Sequence, residues 1–245
     1  MAVLVTRPHP DDETTAAGLR ARGFEVLLAP MLRFEPVAFD DDEDMRYGAV
    51  IVTSANALRG IERQLKGNKL LKLPLFAVGE HTASAARGIG FETVISAKGD
   101  ATSLRDLVLA SVKAKALKKA SPLLYLAGAD LARDLAGELG ERGFTVVTQT
   151  TYRMVPLSGL PRETCDAFAA NGVEAVLHYS RRSARAFLES VRAAGVEISA
   201  LAIPQYCISA AVASIVRDAG ATQVMVAASP DENALFELLD RALHS

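Results

Sequence analysis

The sequence lacks the features that mark several large classes of protein. No apolar run approaches the ~20 residues that a membrane-spanning helix needs. The formal net charge is only −2, so no overall positive field favours nucleic acid. The first residues turn acidic after one short apolar run, unlike a signal peptide. We therefore expect a cytoplasmic protein that contacts neither membrane nor nucleic acid.

Motifs for common cofactors and nucleophiles are also missing. There is no GxGxxG after a strand, no Walker loop, no GxSxG elbow and no HExxH. Cys165 and Cys207 are far apart in apolar surroundings, which favours inert buried thiols. The histidines do not cluster with metal-ligand partners, and His178, between strand residues, is interpreted as a satisfied core histidine. The sequence thus predicts no metal and no cofactor.

What the chain does contain is a regular alternation of short apolar runs with Ala-, Leu- and Arg-rich stretches of helical spacing. The apolar runs are nearly continuous, as in parallel strands that helices cover on both faces. This alternation predicts an α/β fold with doubly wound parallel sheets. The predicted strands are 3–5, 25–28, 49–53, 75–78, 93–96, 123–126, 145–148, 175–179, 205–208 and 223–227. The predicted helices include 11–22, 55–65, 82–88 and 129–142.

The sequence also repeats itself. Four segments of the first half, at 22–26, 49–54, 77–83 and 97–104, return in the same order at 142–146, 175–180, 207–213 and 228–235. The offset between the copies grows only from 120 to 131 residues. Such a fixed order indicates an internal duplication, and five strands per copy suit a flavodoxin-like sheet.

Two extended segments, 32–40 and 150–157, interrupt this rhythm. Each holds a proline, Pro36 or Pro156, and neither has helical periodicity. We interpret both as crossings between two domains, so that the chain leaves the first domain after two strands, builds the second and returns. Periodicity alone equally allows two contiguous domains.

Loops that follow the strands hold the candidate site, because open parallel sheets bind ligands beyond the carboxyl ends of their strands. Either Ser54 and Asn56 only cap a helix, or the N–H groups at that helix start also face an anionic ligand. Gly79 would let a ligand approach the backbone closely. A cleft between the two halves, surrounded by such loops, would suit a ligand with several carboxylates. The candidate binding residues are Thr6, Arg7, Ser54, Asn56, Gly79, Thr82, Ser180, Arg181, Arg182 and Ser209.

Arginines and one tyrosine carry the sharper hypotheses. Arg181 and Arg182 can grip carboxylates through paired hydrogen bonds, although a solvated pair at a helix start is equally consistent, and Arg7 is weighed in the same way. Tyr152 lies in the second crossing segment. Its phenol could give a proton to a leaving group, although simple packing is the plainer interpretation.

Several short motifs, taken in order, resemble the uroporphyrinogen-III synthase family over almost the whole chain. Each is weak alone, and their order and spacing make the match. They are ValThrArgPro at 5–8, ValThrSerAlaAsnAla at 52–57, AlaValGlyGluHisThrAla at 77–83, LeuTyrLeuAlaGly at 124–128, ArgAspLeu at 133–135, ThrThrTyrArg at 150–153, TyrSerArgArgSerAla at 179–184 and AlaSerProAsp at 228–231.

The resemblance implies two flavodoxin-like domains joined by a two-stranded linker. One would be discontinuous (1–33 and 156–245), the other inserted (38–150), with linker strands at 34–37 and 151–155. It also implies a lyase of porphyrin and heme biosynthesis that needs no cofactor. The linear tetrapyrrole hydroxymethylbilane loses its hydroxyl as water, its ring D inverts through a spiro intermediate, and the macrocycle closes to uroporphyrinogen III. Tyr152 matches the family tyrosine thought to assist the departing hydroxyl. We expect a monomer.

One loop departs from the family pattern. The segment from Ile208 to Ala213 lacks the usual glycine and threonine, so it offers only backbone donors and the Ser209 hydroxyl. Arg181 and Arg182 would then take over part of its contacts. Two other readings stay open: a non-catalytic tetrapyrrole- or anion-binding regulator on the same fold, and a two-domain solute-binding module, which would normally carry an export signal.

Overall fold

The computed structural model describes residues 1–40, 45–97, 99–131 and 133–243. The sequence predicts a solvated loop for its acidic run at 40–44, of which residues 41–44 lie outside the described residues, as does His244. The chain divides into two compact units. Unit 1 is Met1–Phe34 with Val155–Ser245, and unit 2 is Glu35–Met154.

The described residues alternate strands and helices, which confirms the predicted α/β class. The strands are β1 (Ala2–Val5), β2 (Glu25–Leu28), β3 (Leu32–Pro36), β4 (Ala49–Val52), β5 (Leu75–Ala77), β6 (Val94–Ser96), β7 (Leu123–Gly128), β8 (Val146–Pro156), β9 (Val173–His178), β10 (Gln205–Cys207) and β11 (Val224–Val226). The helices are α1 (Asp11–Arg20), α2 (Ala55–Leu65), α3 (Glu80–Ile89), α4 (Ala101–Lys113), α5 (Leu135–Gly140), α6 (Arg162–Ala169), α7 (Arg181–Ala193), α8 (Glu197–Ala202), α9 (Ala210–Asp218) and α10 (Glu232–Leu243), with a 3-10 helix at Lys69–Lys72.

Unit 1 is built on a parallel sheet with the strand order β11-β10-β9-β1-β2. Counted along this unit, the order is 2-1-3-4-5 from the β2 edge, which is the flavodoxin-like arrangement. Leu19 of α1 and Phe236 of α10 pack on one face of the sheet. Ala184 of α7 and Val216 of α9 pack on the other, so the strands are covered on both sides as their continuous apolar runs require.

Unit 2 is built on a sheet with the order β3-β8-β7-β4-β5-β6, in which β8 to β6 run parallel. Helices α2 and α3 cover one face through residues such as Leu58, Ile61 and Ala83. Helices α4 and α5 cover the other through Val108 and Leu139, among others. β3 lies at the sheet edge beside β8, which makes the two extended segments of the sequence a pair of strands.

The two sheets share one strand order. The order β6-β5-β4-β7-β8 of unit 2 corresponds to β11-β10-β9-β1-β2 of unit 1. The four sequence repeats fall on equivalent elements: the turns before β2 and β8, the strands β4 and β9, the starts of α3 and α9, and the starts of α4 and α10. Gly90 and Gly220, with φ of 112° and 103°, follow α3 and α9 in the left-handed region. The duplication read from the sequence is therefore a structural one.

The prediction of a helix at 129–142 was wrong over its first half. Only Leu135–Gly140 is helical. The Ala129 N–H donates to the Tyr152 carbonyl at 2.9 Å, so the chain continues beside β8 instead of turning into a helix. The Asp134 carboxylate accepts from the Gly137 N–H at 2.8 Å and starts the helix there.

The predicted strand at 145–148 and the predicted crossing at 150–157 are one strand, β8. β7 extends to Gly128, and a register shift between Ala127 and Gly128 brings Gly128 opposite Tyr152. This bulge lets the ladder of hydrogen bonds between β7 and β8 continue to Tyr152.

In the part of the chain that the structure describes, no helix is long and apolar enough to cross a membrane.

Candidate functional site

A pocket of about 320 Å³ lies in unit 2, at the carboxyl ends of β4 and β7. From β4 the chain proceeds to β5 on one side, and from β7 to β8 on the other, so the strand order reverses between these neighbours. Open α/β sheets bind ligands at such a reversal. The residues around it include Thr53, Ser54, Ala101, Tyr125, Leu135 and Tyr152.

Tyr152 is held in this pocket by the backbone of β7. A Cβ atom on Gly128 would lie 2.7 Å from Cζ of Tyr152 and 2.9 Å from its hydroxyl oxygen, so the ring occupies the space that a side chain at 128 would take. The neighbouring Thr151 is fully buried, and its hydroxyl donates to the Ala57 carbonyl at 2.8 Å. The half-buried phenol is therefore fixed between β7 and α2.

A second phenol lies at the same reversal of strand order. The Tyr125 hydroxyl and the Thr53 Oγ1 atom form a hydrogen bond of 3.0 Å between β7 and the residue after β4. Burial raises the pKa of Tyr125, so this phenol stays protonated at neutral pH.

A cluster of paired charged side chains lies beside the pocket. Arg133, which lines it, donates to both carboxylate oxygens of Glu138 and to the Thr102 hydroxyl. Arg105 also donates to Glu138, at 3.1 Å. The hydrogen bonds from Arg133 lower the pKa of Glu138, which keeps this carboxylate ionised. Arg105 donates to Asp106 as well, at 2.8 Å, so the two arginines are balanced by two carboxylates.

Two helix starts of unit 2 carry the residues predicted to bind anions. The Ser54 hydroxyl accepts from the Asn56 N–H at 3.2 Å and caps α2, while the Asn56 amide oxygen accepts from Arg59 at 2.6 Å. Gly79 precedes α3 without a side-chain cap, and apart from its chain neighbours no atom of the described residues lies within 4 Å of the position a Cβ would take. Thr82, in the first turn of α3, is buried. The open backbone at Gly79 is the feature most suited to a ligand.

The equivalent helix starts of unit 1 keep the backbone but change the side chains. Ser180 caps α7 by accepting from the Ser183 N–H at 3.1 Å, and Arg181 is exposed in the first turn. Arg182 is half-buried beside it. Ser209 before α9 has φ −158° and ψ 161°, close to the −158° and 175° of Gly79. The loop before α9 thus has the backbone shape of the Gly79 loop, without a glycine.

The reversal of strand order in unit 1, between β1 and β9, is filled by side chains. Arg7 donates to Glu232 at 2.8 Å and to Thr15 at 3.2 Å, and its guanidinium lies 4.5 Å from the ring centre of Tyr179. The Tyr179 hydroxyl also donates to Glu232, at 3.1 Å. Burial, and then the charge of Glu232, raise the pKa of Tyr179. We call Arg7, Thr15, Tyr179 and Glu232 the unit 1 plug.

Thr6 is likewise engaged within its own unit. Its side chain is fully buried, and its hydroxyl donates to the Leu177 carbonyl at 2.8 Å, which ties β1 to β9. Thr6 and Arg7 were both candidates for substrate binding. In this structure each has internal partners that account for it.

His178 is fully buried at the end of β9. The Gln205 amide nitrogen donates to the carbonyls of Ala200 and Ile203, at 2.7 and 2.9 Å, so its oxygen faces His178. The His178 Nε2–H then donates to that oxygen at 2.8 Å. Nδ1 has no hydrogen-bond partner among the described residues. Burial lowers the pKa of His178 to about 4. The expected core histidine is thus satisfied at one ring nitrogen.

The remaining titratable groups indicate no further centre. Cys207 is buried, and burial raises its pKa to about 12, as an inert thiol requires. Cys165 is only half-buried, so the prediction of a buried thiol is correct for Cys207 and wrong for Cys165. Within the described ranges, no group of three or more histidines, cysteines and carboxylates could hold a metal ion.

The structure brings Ser54 and Tyr152 into one pocket. It places Asn56 and Thr82 in the first turns of α2 and α3, and Gly79 directly before α3. The sequence reasoning missed Tyr125 as a polar group, because it read the apolar run at 123–126 only as a strand. It also missed that Ala101 and Arg133 line the pocket, although ArgAspLeu at 133–135 was among the family-like motifs.

Comparison with known proteins gives one consistent result. A family model described as uroporphyrinogen-III synthase HemD matches residues 13–237. A uroporphyrinogen-III synthetase from Helicobacter pylori superposes with a TM-score of 0.65 at 18% identity, covering 97% of each chain. A mutant uroporphyrinogen III synthase from Thermus thermophilus superposes with a TM-score of 0.58 at 17% identity, covering 100% of this chain and 99% of the other. No curated protein gave a significant match.

Proposed function

The chain belongs to the uroporphyrinogen-III synthase family, and we propose on that premise that it converts hydroxymethylbilane to uroporphyrinogen III. The reaction removes the hydroxyl as water, inverts ring D and closes the macrocycle. It is a cyclising carbon–oxygen lyase step of porphyrin and heme biosynthesis.

Tyr152 is the proposed general acid. As the carbon–oxygen bond of the hydroxymethyl group breaks, both electrons leave with oxygen, and the Tyr152 phenol supplies the proton that makes water. The nitrogen lone pair of the pyrrole ring stabilises the carbocation left behind. That cation forms the bond that leads through the spiro intermediate to the closed ring. Loss of one proton at ring closure balances the proton given by Tyr152.

The observation that carries this assignment is the position of Tyr152. The phenol lies over Gly128 in a pocket at the reversal of strand order in unit 2, where α/β sheets bind ligands. The pocket walls around it include Val78, Leu131 and Leu135, so the reacting end of the substrate would be partly shielded from water. Shielding strengthens the hydrogen bond to the departing oxygen.

Carboxylate binding is the second part of the proposal. The substrate carries eight carboxylates, and backbone N–H groups at helix starts suit such groups. In unit 2 the candidates are Ser54, Asn56, Gly79 and Thr82 at α2 and α3. In unit 1 they are Ser180, Arg181 and Arg182 at α7 and Ser209 at α9. We leave Thr6 and Arg7 out of this set, because Leu177 and the unit 1 plug already engage them.

We also propose a cytoplasmic monomer. Helices cover both faces of each sheet, which supports a chain that needs no partner subunit. Both cysteines are free, which suits a reducing compartment. Sedimentation analysis of the purified protein would test the oligomeric state.

The activity is tested with enzymatically generated hydroxymethylbilane, by resolving the uroporphyrin isomers after oxidation. We expect isomer III from the wild type, and Tyr152→Phe should lower kcat by roughly 100-fold with little change in KM. Isomer I alone from the wild type would contradict the proposed function. A Tyr152→Phe enzyme as fast as wild type would remove this tyrosine from the mechanism.

A further inference from the structure

A pair of hydroxyl groups lies at the reversal of strand order in unit 2, in the pocket that Tyr152 also lines. Thr53 follows β4, and Tyr125 is in the neighbouring strand β7, where it is paired in register with Ile51. Their oxygens are 3.0 Å apart. Both residues line the pocket, so the pair connects the two strands beneath the site proposed for the reacting end of the substrate.

Packing alone does not account for these hydroxyls. Tyr125 is only 2% exposed and packs in an apolar cluster with Ile51, Ala127 and Leu135. A phenylalanine would bury the same ring without the cost of removing a hydroxyl from water. In unit 1 the β1–β9 register places Val5, opposite Leu177, in the position equivalent to Tyr125. The polar pair is therefore a feature of one copy of the duplicated fold.

Either hydroxyl of this pair can be the donor. A phenol is a stronger donor than an aliphatic alcohol, and the alcohol oxygen is the better acceptor, so we assign Tyr125 as the donor to Thr53. Thr53 then turns its own proton away from Tyr125. Thr53 is half-buried at the pocket wall. Accepting a hydrogen bond from Tyr125 polarises the Thr53 hydroxyl and strengthens the hydrogen bond that this hydroxyl donates in turn.

We propose that Thr53 donates a hydrogen bond to the hydroxymethyl oxygen of the substrate and that Tyr125 orients Thr53 for this purpose. The inference rests on the proposed function. When the carbon–oxygen bond breaks, both electrons go to oxygen and Tyr152 supplies the proton. Thr53 stabilises the charge that builds on oxygen in the transition state. Neither Thr53 nor Tyr125 loses a proton, so Thr53 is a catalytic residue and Tyr125 a positioning residue.

The test measures kcat and KM for isomer III formation in four variants. Thr53→Val keeps the shape of the side chain and should lower kcat at least about 10-fold with KM within roughly twofold. Tyr125→Phe should lower kcat less, by about threefold to 10-fold. The double variant should be no slower than Thr53→Val, because the two groups act in series. Thr53→Ser should restore most of the rate.

The matched control is Tyr206→Phe, which removes the hydroxyl of a buried strand tyrosine in unit 1 and should leave kcat and KM unchanged. Thermal unfolding of every variant is recorded in parallel. The inference would be overturned by a wild-type kcat in Thr53→Val, or by losses that multiply in the double variant. It would also be overturned by a loss of kcat that follows the unfolding temperature and is not restored by Thr53→Ser. If the wild type forms isomer III, Tyr152→Phe is slow and Thr53→Val has normal kcat, only this inference is rejected. If the wild type forms no isomer III, the proposed function itself is rejected.

Discussion

The two units differ most where their architecture is most alike, at the reversal of strand order. The strand registers and the offsets between the sequence repeats assign to each residue of the unit 1 plug an equivalent position in unit 2, near the unit 2 pocket. Arg7 corresponds to Ala127, Thr15 to Leu135, Tyr179 to Thr53 and Glu232 to Ala101. In unit 1 an ion pair and a stacked ring fill this space. In unit 2 smaller or apolar residues leave a pocket of about 320 Å³.

The difference shows how a duplicated fold can carry an asymmetric site. Both copies keep the helix starts that suit carboxylates, since Gly79 and Ser209 share one backbone conformation. Only unit 2 keeps its space open and adds the hydroxyls of Thr53, Tyr125 and Tyr152 to the walls. A reaction that inverts one of four similar rings needs one reacting position and several holding positions. Unit 2 can provide the reacting position because its pocket is open, whereas the equivalent space in unit 1 is filled by the unit 1 plug.

The largest effect is expected from filling the unit 2 pocket. Ala101→Glu places at the start of α4 the residue that Glu232 provides at the start of α10. The new side chain would occupy the pocket and repel substrate carboxylates. We expect kcat/KM for isomer III to fall by about 100-fold or more, equivalent to about 2.7 kcal/mol in the activation barrier.

Ala110→Glu, on an exposed position of the same helix, is the control. It should leave the rate unchanged. Equal rates for the two variants, with both proteins folded, would show that the pocket beside Ala101 is not used.

An intermediate effect, on stability rather than rate, is expected from breaking the unit 1 plug. Arg7 and Glu232 are 24% and 31% exposed, so Arg7→Met leaves a partly buried carboxylate without its cation. We expect a loss of about 2 kcal/mol in the free energy of unfolding, with kcat within threefold of wild type. Adding Glu232→Met should restore part of the loss.

The matched control for the plug is Arg162→Met, which breaks the exposed pair with Asp166. It should cost less than about 0.5 kcal/mol in chemical denaturation. A large fall in kcat of Arg7→Met at full stability would instead return Arg7 to the binding site.

At neutral pH the smallest effect is expected from His178, because its contribution is a pH dependence of unit 1 that appears only in acid. His178 and Gln205 correspond to Val52 and Leu75 of unit 2, which are buried and apolar. The folded pKa of His178, about 4, lies below the ordinary 6.5. Between these values the unfolded chain binds a proton that the folded chain does not, so stability is complete above pH 6.5 and falls towards pH 4. The contribution is about 3 kcal/mol.

The double variant His178→Val with Gln205→Leu copies the apolar pair of unit 2 and should lose this part of the pH dependence. Denaturation curves of the wild type and the double variant from pH 7 to pH 4 give the free energy of unfolding at each pH. Other titrating groups contribute equally to both proteins, so the difference between the two slopes against pH measures the effect of His178. Identical slopes would show that His178 does not carry the effect.

Local patterns in the sequence were enough to predict the fold class and most strands. Ala49–Val52 and Leu123–Gly128 are continuous apolar runs, and the repeat is visible by direct comparison. The family resemblance was confirmed by the match over residues 13–237. The helix predicted at 129–142 failed because a long-range contact, from Ala129 to Tyr152, competes with helical propensity.

The site was less accessible to sequence reasoning because its contacts join distant residues. Arg7 and Glu232 are 225 residues apart, and Thr53 and Tyr125 are 72 apart. Position after a strand predicted that Ser54 and Gly79 would lie in loops suited to a ligand. The same argument applied to Arg7, and it could not reveal that Glu232 already binds that arginine. Charge partners of this kind appear only when the sheet is assembled.

A side-by-side assay of two phenols, one at each reversal of strand order, tests the asymmetry most directly. Isomer III formation is measured for Tyr152→Phe in unit 2 and Tyr179→Phe in unit 1, with thermal unfolding as the check on folding. We expect Tyr152→Phe to lower kcat by roughly 100-fold, while Tyr179→Phe stays within about threefold of wild type. Equal and large losses in both, with both proteins folded, would contradict a single reacting position in unit 2.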